Sequence, residues 1–377
     1  MELNLYMIIS QISIFQFLFF SFFLLIHKKG KRLSNSLLAL FLFSKALCYI
    51  NSMLFIHRSS VMEWFPHSFF IGQSFEFLLG PSLYFYIKSM AYRDFSLRKM
   101  HVFHLIPFLL HGIVMMTTFH VHSTEVKRVL LMNRPLISTP VEFIVIESAI
   151  YLHFIVYGII SLLVLKRYRL ELKRTFSSLE YIQLTWLNGL TLGFSAIWVS
   201  SYVNFLLRVT IHQTLIQGSI HILAIFLFAN IIVYKGLKQP LIFSGIEKDS
   251  IKPKYAKTPL PESEMDHYID RLLAYMESEK PYLDSSLTIN DLANKLSIPS
   301  HYLSQVINTR LNQNFYNFVN GYRIEEIKRV LAEQSKHKKT VLEVLYDAGF
   351  NSKSAFNNVF KKYTGMTPRE FIRIQKS

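Results

Sequence analysis

The sequence predicts an all-α protein in two parts: a bundle of seven membrane-crossing helices at 1–234 and, after a linker at 235–261, a helical domain of about seven helices at 262–377. Three observations predict it. Apolar stretches at roughly 3–26, 33–56, 69–90, 105–120, 141–165, 187–207 and 215–234 mostly reach the length of about 20 residues that a helix needs to cross hydrocarbon. The chain is 51% hydrophobic and 15% aromatic with mean hydropathy +0.27, richer in apolar residues than an ordinary soluble protein. From Glu264 onward the apolar residues instead recur at amphipathic spacing within a strongly charged text.

The formal charge of +16 calls for anionic partners, nucleic acid or lipid headgroups. Loops kept on the cytoplasmic side of a membrane collect Lys and Arg. Alternate loops differ in that sense: Lys28 to Arg32, Arg93 to Lys99 and Lys166 to Arg174 together carry twelve, whereas Arg58, Lys127, Arg128, Arg134 and Arg208 make five on the other side. Seven spans then put the N-terminus outside and the C-terminus inside. The first stretch has its positive cluster after it and no basic run before it, the pattern of a retained anchor and not of a cleaved signal peptide. The single cysteine, Cys48, excludes an intrachain disulfide and reads as a small buried thiol.

Ionisable side chains are costly in hydrocarbon and face the bundle interior, so Lys45, Glu76, Glu147 and His221 are candidates for an intramembrane signal site. Counted at about 1.5 Å per residue from the outer ends of their spans, the two glutamates and His221 lie roughly 9 to 11 Å deep and Lys45 roughly 16 Å. Gln73, Asn204 and Gln217 fall near the same layer. One reading is a polar pocket for a small-molecule or membrane-borne signal; the competing one is that Lys45 pairs with Glu76 and the rest hold the helices together.

The text changes after Tyr234 to a proline- and lysine-rich linker. Beyond it Met265, Ile269, Leu272, Leu273 and Met276 mark a packing helix. Three threonines then stand three residues before an acid, Thr288 with Asp291, Thr340 with Glu343 and Thr367 with Glu370, the pattern of a capping box at a helix start. These starts expose a repeat: TINDLANKLSIPSHYLSQVI at 288–307 and TVLEVLYDAGFNSKSAFNNVF at 340–360 each read helix, turn, helix. Leu292, Ala293, Leu296, Ile298, Leu303 and Val306 are the packing positions of the first unit; Val344, Leu345, Phe350, Phe356, Val359 and Phe360 are those of the second. Between them NFYNFVNGYRIEEIKRVLAEQ reads as one helix of roughly 30 Å, close to one turn of DNA.

Residues 264–374, and most specifically AGFNSKSAFNNVFKKYTGMTPREFI at 348–372, resemble the AraC/XylS family of bacterial transcription regulators. The first unit departs from the family pattern: Ser297 and Asn312 stand where glycine is usual, Ile307 where phenylalanine is, and Pro299 where a capping serine is. Ser300 is expected to cap one residue later and the helix to form. The resemblance implies that Ser300, His301, Ser304 and Gln305, and Lys353, Ser354, Asn357 and Asn358, read base edges in the major groove. Arg310, Lys361 and Lys362 suit phosphate contacts.

The resulting expectation is a transcription regulator of the cytoplasmic membrane, not an enzyme, with double-stranded DNA, the lipid bilayer, an unidentified signal and a second copy of the chain as partners. No cofactor and no metal is expected: HExxH, GxSxG and nucleotide-loop motifs are missing, and His101, His104 and His111, or His120 and His122, lack an acidic or cysteine partner. Two alternatives stay open, a transporter or intramembrane enzyme that regulates its own operon, and an anchor whose DNA-binding part is released by proteolysis.

Overall fold

A computed structural model describes residues 2–28, 30–132, 141–180, 184–211, 218–238, 260–332 and 340–376, and every named element among them is helical. Most of the 235–261 linker lies outside the described residues, as do Lys29, Arg134 and Gln217. The chain forms two compact units, Met1–Leu165 with Leu184–Gly245, and Lys166–Gln183 with Ile246–Ser377.

The first unit contains α1 (Glu2–Ile26), α2 (Arg32–Ile56), α3 (Arg58–Trp64), α4 (Ile71–Ser74), α5 (Glu76–Ala91), α6 (Ile106–Met115), α7 (Thr124–Met132), the first part of α8 (Val141–Thr175), α9 (Thr185–Ile211) and α10 (Gly218–Lys238). Among the described residues six helical runs are long and apolar enough to cross a membrane, not the seven expected from the sequence. The 105–120 stretch qualifies, because a 3₁₀ turn before α6 and a π turn after it extend the run to 22 residues, Lys99–His120.

The 69–90 stretch is the one that does not qualify. It breaks at Phe75, where the Phe75 N–H donates to the Gly72 carbonyl (3.2 Å) and the Leu78 N–H to the Phe75 carbonyl (3.0 Å), i→i−3 bonds that tighten the backbone and end the α ladder. Pro81 within α5 removes a further donor. Apolar content marked this stretch; local backbone pairing divides it.

The broken pair nonetheless runs antiparallel along α2. A Cβ on Gly72 would lie 2.2 Å from the Leu47 carbonyl oxygen, Ser34 and Ser89 hydroxyls meet at 2.9 Å, and Lys31 Nζ donates to the Tyr92 and Arg93 carbonyls. With six single-helix runs, counting no longer places the N-terminus outside, and the charge asymmetry of the loops holds only where the broken 69–90 pair is counted as one crossing.

In the second unit α11 (Glu262–Ser278), α12 (Ile289–Leu296), α13 (Ser300–Leu311), α14 (Phe315–Ala332), α15 (Val341–Asp347), α16 (Lys353–Thr364) and α17 (Pro368–Lys376) build two cores on one connector. Leu272, Leu292, Leu303, Phe315 and Val319 are buried together in the first core; Ile324, Ile327, Val344, Phe350, Phe356 and Phe360 form the second. Helix α14 contributes its N-terminal half to one and its C-terminal half to the other. All three capping boxes form, with Thr288, Thr340 and Thr367 hydroxyls accepting from Asp291, Glu343 and Glu370 N–H groups.

Candidate nucleic-acid interface

Each helix-turn-helix unit is closed by backbone chemistry that its sequence supplies. In the first, α12 ends at Ser297 with φ +51°, a left-handed residue where glycine would be easier, and α13 ends at Asn312, also at φ +51°. Pro299 is the N-cap of α13 and no side chain caps that helix; Ser300 is its first residue and not the cap expected from the sequence. In the second unit Ser352 caps α16 by accepting the Ala355 N–H at 3.2 Å, and Gly365 closes it at φ +76°.

Burial sorts the two recognition helices into inner and outer faces. Leu303, Val306, Phe356 and Phe360 are buried. Ser300, His301, Ser304 and Gln305 are half-buried, whereas Lys353, Ser354, Asn357 and Asn358 are all exposed. The His301 Nε2 is buried and has no hydrogen-bond partner among the described residues, and its ring lies 4.0 Å from that of Tyr302. Arg310 pairs with Asp266 on α11 at 2.9 Å and donates to the Glu262 carbonyl. Lys362 donates to Asn317 Oδ1 at 3.0 Å, and Lys361 is exposed.

In the first compact unit three of the four ionisable candidates make contacts between helices, and the fourth, Glu76, interacts electrostatically with one of them. Gln73 donates to Glu147 at 3.0 Å, joining α4 to α8. Lys45 Nζ lies 4.9 Å from the Tyr49 ring centre and 5.2 Å from that of Trp198, joining α2 to α9, and interacts electrostatically with Glu76. His221 shares a hydrogen bond with Ser201 and packs edge-on against Trp198, joining α10 to α9. Tyr49 Oη, Asn51 Oδ1 and Trp198 Nε1 are buried without a partner among the described residues. Of the histidines weighed as metal ligands, His111 meets the Ser74 hydroxyl and His104 meets Tyr157.

Comparison with known proteins falls on the second unit. A family model described as "Helix-turn-helix domain" matches residues 292–374. The Melibiose operon regulatory protein of Escherichia coli (strain K12) is 25% identical over 109 residues, 29% of this chain and 34% of its own length. A solved structure of a protein of unknown function from Listeria innocua aligns with 28% of this chain and 95% of its own at 24% identity and TM-score 0.25, a likeness too loose to assign a fold. An uncharacterized HTH-type transcriptional regulator in the cgkA 5'region of Pseudoalteromonas carrageenovora is 30% identical over 127 residues, 34% of this chain and 71% of its own length. The chain belongs to the AraC-type helix-turn-helix transcription regulators. The match spans about a third of the length of the E. coli relative, and none of these alignments covers more than about a third of this chain.

One part of this AraC-type regulator's second unit is invisible to motif reading. Arg323 on α14 is fully buried, with Nε donating to the Tyr282 carbonyl at 2.7 Å and Nη2 to that of Asp284 at 2.8 Å. Its Nη1 and Nη2 also donate to Ser177 and Ser178, which precede it by some 145 residues. An arginine in an apolar register of a connector helix (Ile324, Ile327, Leu331) was the available signal; its partners were not readable without the fold.

Proposed function

We propose that this transcription regulator works from a lipid bilayer, reading a promoter with both helix-turn-helix units and a chemical signal within the first unit. The observation that carries this reading is the presence, in one chain, of two complete helix-turn-helix units and of long helices whose outward faces are apolar, such as Phe15, Phe19 and Phe22 on α1 and Leu152, Val156, Ile159 and Leu163 on α8. A soluble protein rarely exposes so much contiguous apolar surface; lipid covers it at no cost.

The exposed face of α16 is the better formed base reader. Asn357 and Asn358 match adenine edges and Lys353 matches guanine. On α13, Ser300, His301, Ser304 and Gln305 take the same role in the second groove segment; Lys361 meets phosphate directly, and Lys362 and Arg310 do so once freed from Asn317 and Asp266. The C-terminal unit lies in the cytoplasm, where DNA is. Lys31 reaches the carbonyls of Arg93 and Phe95, so the first two basic segments meet at one end of the α2–α5 pair. That end faces the cytoplasm, and α1 alone then places the N-terminus outside.

The signal site is the layer of Lys45, Glu76, Glu147 and His221. The break between α4 and α5 falls beside Glu76, and irregular backbone at membrane depth is tolerated only where protein or a wet cavity surrounds it. Chromosome-wide occupancy of the tagged full-length protein, beside an Asn357→Ala/Asn358→Ala variant, tests the reading. Discrete peaks lost in the variant are expected; no peaks in any growth condition would overturn it.

A further inference from the structure

Residues 176–180 follow α8 in the chain but fold with the helix-turn-helix domain, in the same compact unit. Phe176 forms an antiparallel bridge with Thr288, the N-cap of α12. The Ser177 N–H and hydroxyl both donate to the Leu287 carbonyl, at 3.2 and 2.6 Å. In return the Ser177 carbonyl accepts from Asn320 Nδ2 at 3.0 Å and from Arg323 Nη1 at 3.2 Å, and its hydroxyl accepts from Nη2 at 3.1 Å. Ser178 Oγ accepts from Nη1 at 3.3 Å, Leu179 is buried, and the Glu180 carboxylate interacts with Ser352, the cap of the second recognition helix.

We propose that residues 176–180 are a docking segment through which α8 sets the relative pose of the two recognition helices. Arg323 sits where the two cores meet on α14. Its donors are divided among the loop that leads into the first unit (Tyr282, Asp284) and the docking segment, while its face lies over Phe350 of the second unit. A buried guanidinium must keep its donors bonded. With the segment withdrawn, Nη1 loses Ser177 and Ser178, and the pose that Arg323 holds is no longer the favoured one.

The segment continues directly from α8, a single helix of 35 residues, about 50 Å long, that carries Glu147 in its second turn. A rotation or sliding of α8 is thereby delivered to Ser177 and, through Arg323 and Ser352, to the spacing of α13 and α16. Two grooves one turn apart are read together only when that spacing is right. This inference rests on the reading of the chain as a membrane-embedded regulator.

The test uses the full-length protein in lipid nanodiscs and a duplex selected by the wild-type protein from a random-sequence pool, offered whole and as separate halves. Ser177→Ala/Ser178→Ala is expected to weaken binding to the whole site by at least about tenfold, the scale of one lost hydrogen bond to a charged group, and to leave binding to each half unchanged. Equal loss on whole and half sites, or no loss, overturns the inference. A wild-type protein that selects no duplex overturns the parent reading instead.

If the double variant does not fold, Phe176→Cys/Thr288→Cys in a Cys48→Ala background decides, since bridged residues stand within disulfide range. Oxidised membranes should yield the intramolecular crosslink with whole-site binding retained. No crosslink overturns the docking.

Discussion

The Arg323 guanidinium lies 5.7 Å from the centre of the Phe350 ring, so the connector helix grips the turn of the second helix-turn-helix unit with the same group that bonds the carbonyls ahead of the first. Burial draws its pKa down to about 10, which still leaves it charged at neutral pH. Arg323→Met should leave the Tyr282 and Asp284 carbonyls unpaired and destabilise the domain by about 3 kcal/mol. Arg323→Lys should not rescue it, because an ammonium cannot occupy all these directions from one position. The three tryptophans all precede residue 200, so hydrogen exchange in α14 and α16, not tryptophan fluorescence, is the measurement. Unchanged protection in both variants would contradict the assignment.

Gly349 faces the same network from the other side. Its φ is +86°, and a Cβ there would lie 2.7 and 2.8 Å from the Tyr282 and Leu283 carbonyl oxygens and 3.0 Å from Arg323 Nε. Gly349→Ala therefore meets both an unfavourable backbone region, costing about 1 kcal/mol, and backbone that cannot retreat. A total loss of about 2 to 4 kcal/mol is expected, seen as accelerated proteolysis of the C-terminal unit while the first unit stays intact.

Much of this architecture is legible in the sequence, and the parts that are not share a cause. Thr288, Thr340 and Thr367 announce helix starts because the capping box is a local device whose two partners are three residues apart. The packing positions from Leu292 to Phe360 follow from helical periodicity. The break at Phe75 escaped because hydropathy records composition and says nothing of where backbone bonds shift from α to 3₁₀ spacing. Ser177 and Ser178 carry no local motif, and only their contact with Arg323, far along the chain, distinguishes them. The Arg310–Asp266 pair is of the same kind: the sequence marks the arginine as a candidate for phosphate contact and gives no sign of its partner on α11.

That pair makes a prediction about salt. Arg310 is held by Asp266 at 2.9 Å, on the surface of the domain, where such pairs contribute about 0 to 1 kcal/mol. Asp266→Asn should leave stability nearly unchanged and release Arg310 towards phosphate. The slope of log affinity against log salt should then steepen by about one counterion. Arg310→Ala should leave the wild-type slope as it is if the pair persists on DNA, and lower it by about one if it opens. Titration of binding over a range of salt concentrations reads both.

The docking segment should respond to pH through Glu180. Desolvation raises its pKa, opposed by the Ser352 hydrogen bond and the Arg323 charge. An acid whose folded pKa lies above its unfolded value stabilises the fold fully below the unfolded value, near 4.3, and that contribution fades as pH rises through the folded value. Docking should accordingly tighten on mild acidification, and Glu180→Gln should hold it nearly constant. Protection of residues 176–180 from a protease active across this range, relative to an unfolded control, measures it; an equal pH response in wild type and variant would refute the role of Glu180.

The two recognition helices differ at their N-caps, and the difference is reversible by substitution. Ser352 satisfies the Ala355 N–H, whereas Pro299, at φ −56° and ψ +133°, leaves the first turn of α13 without a side-chain cap. Ser352→Ala should cost about 1 kcal/mol, and Pro299→Ser should gain a similar amount less the stiffness that proline lends the unfolded chain, about 0.4 to 1 kcal/mol. The net effect at Pro299 is thus small in stability but local in place: faster exchange at the start of α16 for Ser352→Ala, slower exchange at the start of α13 for Pro299→Ser. Since Ser300 and His301, proposed above to read bases, occupy that first turn, Pro299→Ser should also lengthen residence on DNA more than it raises stability. Were exchange in α13 to stay unchanged while residence lengthened, the serine would be contacting DNA and not capping the helix.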